Sequence, residues 1–240
     1  MLRKTALKEV PIGTTFEVWN RKFTVLNKDW QSNALVLAAD VETRMAFREG
    51  DEVYAVAPND FRDSTIRNWL NDDYLGELQE DGLKNGEILD MEIDLKCTLG
   101  QHEYGADKVK VGLLTLEQYG EYYGIIPKTD SSWWLATPWA TPRRSPYTYN
   151  TYSVWSVSTS GGYSYYFCSN TYGVRPALTL SSSLLVAWDD GNEANVGWDA
   201  YIRYLHKWAV EHSDEDYAGS YPAAYQDFEE WAYSTKEERR

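Results

Sequence analysis

The chain has 240 residues, 43% of them hydrophobic and 15% aromatic, so it can bury one full core and is not a disordered polymer. Its formal net charge of -14 repels phosphate backbones, and its 23 Lys and Arg are scattered instead of gathered into a stripe, which argues against nucleic acid as a partner. No window approaches the length of a membrane span and the basic opening from Met1 to Glu9 leads into no apolar stretch, so cytoplasmic synthesis without a signal peptide, and no membrane insertion, are expected.

The first sixty residues read as short strands: Phe16 to Trp19, Lys22 to Leu26, Ala34 to Ala38 and Val53 to Val56, with Asn20-Arg21 and Asn33 as turn residues between them. An antiparallel meander accounts for them. In Asp63-Ser64-Thr65-Ile66-Arg67-Asn68-Trp69-Leu70, Asp63 or Ser64 can cap the free amides while Ile66, Trp69 and Leu70 line one face, which predicts a short helix. From Asn71 to Lys96, acidic residues mix with Gly76, Gly82 and Gly86, and irregular structure broken by helical turns is expected. A strand over Val109 to Leu114 then leads into the capping-box pattern Thr115-Leu116-Glu117-Gln118, which starts a helix through Tyr119 and Tyr123 that stops near Gly124. Trp133-Trp134-Leu135 reads as a buried strand, followed by a loop in which Pro138, Pro142 and Pro146 oppose a regular ladder.

The segment from Ser145 to Val174 has no Asp, Glu, Lys or Arg, where a chain that is 25% charged would place about seven. Residues 147 to 172 hold seven Tyr, one Trp, six Ser, four Thr and two Asn. Tyr and Trp supply large rigid contact area at low entropy cost, and Ser, Gly and Asn supply adaptable hydrogen bonds, the mixture that antibody loops use. Tyr152 to Ser158 alternates, Ser160-Gly161-Gly162 supplies a turn and Tyr163 to Cys168 returns, so a hairpin is expected. One of its alternating sets, Tyr152, Val154 and Ser156 or Ser153, Trp155 and Val157, faces outward. The candidate ligand-binding residues are Tyr147, Tyr149, Asn150, Tyr152, Ser153, Trp155, Ser156, Tyr163, Tyr165, Tyr166, Ser169, Asn170 and Tyr172. Gly173 to Leu180 reads as one further strand with Pro176 near its start, and Arg175, set among apolar residues, calls for a buried carboxylate partner.

Past Ala187 the composition shifts: residues 189 to 240 carry 13 acidic and 5 basic residues. Trp198, Tyr201, Ile202, Leu205, Trp208 and Ala209, then Tyr221, Ala224, Tyr225, Phe228, Trp231 and Ala232, recur at helical spacing, so two amphipathic helices form an acidic extension. It packs back on the body in one reading, and meets a second copy or an assembly partner in the other.

Catalytic and metal signatures are weak. Cys97 and Cys168 form neither a disulfide framework nor a metal pattern and read as free or buried thiols. His102, His206 and His212 share no ligand spacing. Asp189-Asp190-Gly191-Asn192-Glu193 lacks the order of a calcium loop, and Arg143-Arg144 reads as solvated. With no nucleophile elbow, P-loop or dinucleotide fingerprint, no cofactor, metal or catalytic residue is expected.

Trp133-Trp134-Leu135-Ala136-Thr137-Pro138 and Gly173-Val174-Arg175-Pro176-Ala177-Leu178, paired around a Tyr/Ser/Gly-rich middle, resemble a domain family of Gram-positive gut bacteria and their prophages. Ser64 to Asn71 and Gly112 to Glu117 fit too, and the likeness spans about residues 10 to 186. The family's first string usually reads WWLRSP, and Ala136 here replaces its arginine. That family is similar to the formylglycine-generating-enzyme branch of the C-type lectin fold, which includes the variable proteins of diversity-generating retroelements, among them phage tropism determinants. In those proteins a Tyr-, Asn- and Ser-rich stretch near the chain end is diversified and displayed for ligand capture, whereas here an acidic extension follows it. The resemblance implies an α+β, C-type lectin-like recognition domain of short antiparallel strands and two or more helices over residues 1 to 186, followed by the extension over 187 to 240. It further implies a non-catalytic protein that binds a protein or cell-surface glycan, in a phage particle or toward a bacterial target. An enzyme of the formylglycine-generating lineage with altered chemistry and a structural prophage component are the alternatives. The enzymes use a cysteine pair, but Cys97 and Cys168 lie in unlike contexts.

Overall fold

The computed structural model describes residues 2–49, 57–142 and 151–189. The expected strand over Val53 to Val56 and the helices beyond Asp189 lie outside them, as do Arg143, Arg144, His206 and His212.

The body is α+β and mostly antiparallel. The larger sheet contains β1 (Leu2–Ala6), β2 (Thr15–Val18), β3 (Arg21–Lys28), β4 (Ala34–Ala38), β6 (Ile88–Leu89), β9 (Val111–Gly112), β14 (Ala177–Leu180) and β15 (Leu185–Asp189), ordered β1-β15-β2-β3-β4-β14-β6 with β9 also on β14. The smaller sheet, ordered β12-β11-β10-β13-β5, is built from β5 (Thr43–Ala46), β10 (Trp133–Pro138), β11 (Ser153–Val157), β12 (Tyr163–Phe167) and β13 (Thr171–Val174). A separate ribbon pairs β7 (Met91–Asp94) with β8 (Ala106–Val109). Among the described residues no helix is long and apolar enough to cross a membrane.

β2, β3 and β4 form the expected antiparallel meander, with the β2–β3 turn one residue earlier than expected: Trp19 and Asn20, at φ 50° and 54°, close it and Arg21 opens β3. The expected strand over Val109 to Leu114 is instead split between β8 and β9. Ser64 caps α1 (Thr65–Trp69) by accepting from the Arg67 amide. The helical path then continues through a wider turn at Leu70–Tyr74 into α2 (Leu75–Glu80), a longer helical run than the irregular structure broken by helical turns that was expected. Leu70, Tyr74 and Leu78, four apart, are all buried, and this apolar row outweighs the acidic residues and Gly76 between them. The capping box forms as expected: the Thr115 hydroxyl accepts from the Gln118 amide and the Gln118 side chain accepts from the Thr115 amide, opening α3 (Leu116–Tyr122).

Gly173 to Leu180 is not one strand. β13 belongs to the smaller sheet and β14 to the larger, so Arg175-Pro176 is the corner where the chain changes sheets. Gly173 stands where a Cβ would come within 2.6 Å of Val41 and 3.0 Å of the Ser132 carbonyl, which is why this string opens on glycine. Arg175 is fully buried, and among the described residues it has no carboxylate partner: Nε donates to the Ala38 carbonyl at 2.7 Å, one Nη to Ala39 at 2.9 Å and the other to Pro127 at 3.0 Å. Its guanidinium also lies 5.1 Å from the Trp133 ring centroid. Three backbone carbonyls at a chain corner need donors more than the cation needs an anion. Burial lowers the Arg175 pKa to about 10, against the pull of Asp40 and Tyr119.

One apolar cluster joins both sheets, including Phe16, Phe23 and Leu37 from one and Trp133, Trp134 and Val154 from the other. β15 runs through Asp189 and pairs antiparallel with β1.

A candidate binding face on the edge of the small sheet

β11 and β12 form the expected hairpin, with pairing from Ser153↔Phe167 to Val157↔Tyr163. Its loop is tight: the Gly161 amide donates to the Ser158 carbonyl at 2.9 Å, the Ser158 amide to the Gly162 carbonyl at 2.7 Å, and Gly161 adopts φ +87°. The Tyr119 hydroxyl of α3 donates to the Gly161 carbonyl at 2.6 Å and moors the tip. At the base, the Cys168 amide donates to Tyr152 at 2.8 Å and the Arg48 amide to the Cys168 carbonyl at 3.1 Å.

A buried amide fixes the neighbouring loop. Asn59, fully enclosed, donates through Nδ2 to the carbonyls of Ala140 and Ser153 at 2.9 and 3.0 Å, and accepts the Tyr104 hydroxyl at 2.7 Å. The Trp139 amide donates to the same Ser153 carbonyl at 3.0 Å. The start of β11 and the turn carrying Trp139 are thereby held together by hydrogen bonds made out of reach of water.

On this frame sits an aromatic surface. The Trp139 and Tyr165 rings stack at 4.3 Å, Trp155 lies 5.4 Å from Trp139 and 5.6 Å from Tyr165, and Tyr163 flanks Trp155 at 5.6 Å. Thr98 ties the group together, accepting from the Trp155 indole at 3.3 Å and donating to the Trp139 carbonyl at 3.1 Å. The other face of β12 carries Tyr166 against Tyr172 at 5.0 Å, and Tyr172 meets Trp134 at 4.8 Å, so a row of rings descends into the core. Among the described residues, four of the eight exposed large apolar side chains, Tyr163, Tyr165, Tyr166 and Phe167, belong to this single strand, making it the main uncovered aromatic surface.

The candidate residues divide sharply. Tyr163, Tyr165, Tyr166 and Ser169 are exposed; Tyr152, Trp155, Asn170 and Tyr172 are half-buried. Ser153 and Ser156 are buried, at 5% and 2% exposure, on opposite faces of β11. Neither alternating set of β11 faces solvent as a whole, and Trp155 is its main contribution to the surface. Tyr147, Tyr149 and Asn150 lie outside the described residues. Trp139, Thr98 and Phe167 were not among the candidates; a tryptophan in a proline-flanked loop was the available sign for the first.

Under the hairpin tip, a cavity of about 220 Å³ is lined by Tyr119, Tyr123, Trp133, Val157, Gly161 and Arg175 among others. Burial pushes the Tyr119 phenol up to about 12. Among the described residues no group of His, Cys, Asp and Glu could hold a metal ion, and His102 is exposed. Cys97 and Cys168 are both buried free thiols, and burial pushes the Cys168 thiol up to about 12. Neither thiol should react with Ellman's reagent at pH 8 in the folded chain, and both should react at once in denaturant; fast labelling of Cys168 without denaturant would contradict this placement. The linked pH effect has a definite sign. Cys168 ionises near 9 when unfolded and near 12 when folded, so its contribution to stability is intact below about pH 9 and falls as pH rises toward 12.

A family described as a domain of unknown function (DUF6273) matches residues 100–182, a stretch that contains α3, the whole hairpin and the Arg175 corner. No curated protein and no solved structure matches the chain.

Proposed function

We propose that this chain is a non-catalytic recognition module of C-type lectin-like architecture, and that the face formed by Trp139, Trp155, Tyr163 and Tyr165 binds a protein or a cell-surface glycan. The observation that carries the reading is the exposure of an uncharged aromatic strand on a frame moored at both ends. Such rings offer contact area with little entropy left to lose, and Tyr and Trp recur among the residues that dominate binding energies. The finer fold reading rests on the resemblance of the Trp133 and Gly173 strings; the α+β body with β1 and β15 side by side supports it. The likeness to variable proteins of diversity-generating retroelements further suggests a surface that is rewritten between relatives, in a phage receptor-binding or bacterial target-binding role. A near-copy of the codons for residues 147 to 172 beside a reverse-transcriptase gene in the neighbouring DNA is the expected sign of it.

The test is a printed glycan array together with a displayed library of random linear peptides, probed with the chain and with a Trp155→Ala/Tyr163→Ala/Tyr165→Ala variant. Binding to the selected probes should fall at least ~30-fold in the variant, the effect of losing one or more dominant contacts, while its melting curve stays cooperative. Probes held equally well by the variant would refute this face as the binding site.

A further inference from the structure

The hydrogen-bonding pattern of the hairpin leaves a second feature of β12 open. Ser158 with Gly162 and Tyr152 with Cys168 are hydrogen-bonded partners, and in an antiparallel ribbon bonded and unbonded pairs alternate. Ser164 and Tyr166 therefore direct their backbone groups at β11, whereas Tyr163, Tyr165 and Phe167 direct theirs away from it, along the side of β12 with which no strand among the described residues pairs. The Phe167 carbonyl accepts from the Asn170 amide at 2.9 Å; the three outward amides and the Tyr163 and Tyr165 carbonyls have no partner among the described residues.

Free strand edges invite pairing, and proteins blunt them with charge, shortness or proline. Among the described residues the other edges are blunted in that way. β5 carries exposed Arg44, β1 carries exposed Lys4, β6 and β9 have two residues each, and the β7–β8 ribbon exposes Glu92, Asp94 and Lys108. β12 has no charge and no proline, and all five of its residues are exposed.

We propose that β12 captures its partner by strand addition: an extended peptide segment pairs with the outward groups of Tyr163, Tyr165 and Phe167 and lays alternate side chains over the adjoining rings. The inference rests on the recognition reading and narrows it to a protein ligand. A repeat of amide and carbonyl at strand spacing is matched by another extended backbone and not by the hydroxyls of a sugar. The side chains that fit are apolar ones, or Arg and Lys, which sit favourably over aromatic faces and are drawn to a chain of net charge -14. A second copy of this chain fits less well, since it brings two such charges together over an edge of ~17 Å.

Peptides selected from the random linear library provide the probe, read by affinity and by amide hydrogen exchange. The selected sequences should alternate, and the Tyr163, Tyr165 and Phe167 amides should exchange at least ~10-fold more slowly in the complex. Tyr165→Ala removes a ring and keeps the amide; Tyr165→Pro removes both, at an edge position that tolerates proline. Proline should abolish binding where alanine only weakens it. Equal binding by the two variants, or unchanged exchange at the three amides, overturns strand addition. If such binding is still lost in the triple alanine variant, the recognition reading survives alone; if it is kept there, both fall. Failure of any peptide to bind through β12, or the same protection produced by dimerisation of the chain, also overturns the peptide assignment.

Discussion

Replacing Arg175 with methionine should cost about 3–5 kcal/mol and lower the melting midpoint by roughly 10 °C, because three carbonyls at the corner between the sheets lose their donors together. Each buried acceptor left without a partner costs about 1–3 kcal/mol, while relief from holding a cation out of water returns part of the total. Arg175→Lys should recover little, since a single ammonium cannot span carbonyls of Ala38, Ala39 and Pro127 that the planar fork reaches at once. Thermal melts of the two variants check this. A methionine variant as stable as the parent would mean that the corner is held by packing on Trp133 alone.

Two tryptophans in adjacent strands should behave in opposite ways. Trp134 is fully buried, donates to the Met45 carbonyl at 3.1 Å and packs edge-on against Phe47 and Tyr172, so Trp134→Ala should cost about 3–5 kcal/mol. Trp155 is half-buried, and its one hydrogen bond runs to exposed Thr98, so Trp155→Ala should cost less than about 2 kcal/mol while weakening ligand binding by at least ~30-fold. Melting curves read beside affinities separate the two. Equal destabilisation would make Trp155 a core residue and deprive the aromatic face of its centre.

How far the fold was legible depended on whether a signal was local. The hairpin and the capping box at Thr115 follow from alternation, turn residues and side-chain capping within a few positions, and the structure places them as read; the buried strand at Trp133 forms too but runs through Pro138, expected in the loop, which pairs with Val154 across a register shift. The continuation of α1 into α2 was written in the row Leu70, Tyr74 and Leu78, but acidic residues and glycines nearby masked a face that becomes apolar only once the core forms. Three readings failed because they depend on distant chain. Neither alternating set of β11 is exposed, since both faces of the strand are covered by chain packed from elsewhere, which no alternation within β11 can announce. The split of Gly173 to Leu180 depends on two separate sheets accepting its halves. The partners of Arg175 are backbone carbonyls, which leave no trace in residue types.

The same distinction holds for the face itself. Composition identified Tyr163, Tyr165 and Tyr166, since a chain that is 25% charged leaves an uncharged tyrosine run for a reason. It missed Trp139, whose place beside Tyr165 is set by the Asn59 hydrogen bonds and not by anything adjacent in the chain.

The mooring of the hairpin has a consequence for how this molecule could change over generations. Tyr119 at the tip and the Arg48 and Tyr152 contacts at the base hold backbone atoms of Gly161 and Cys168 on either side of β12, so the anchoring of the arm calls on no side chain at positions 163 to 167. A substitution there leaves these anchoring hydrogen bonds in place.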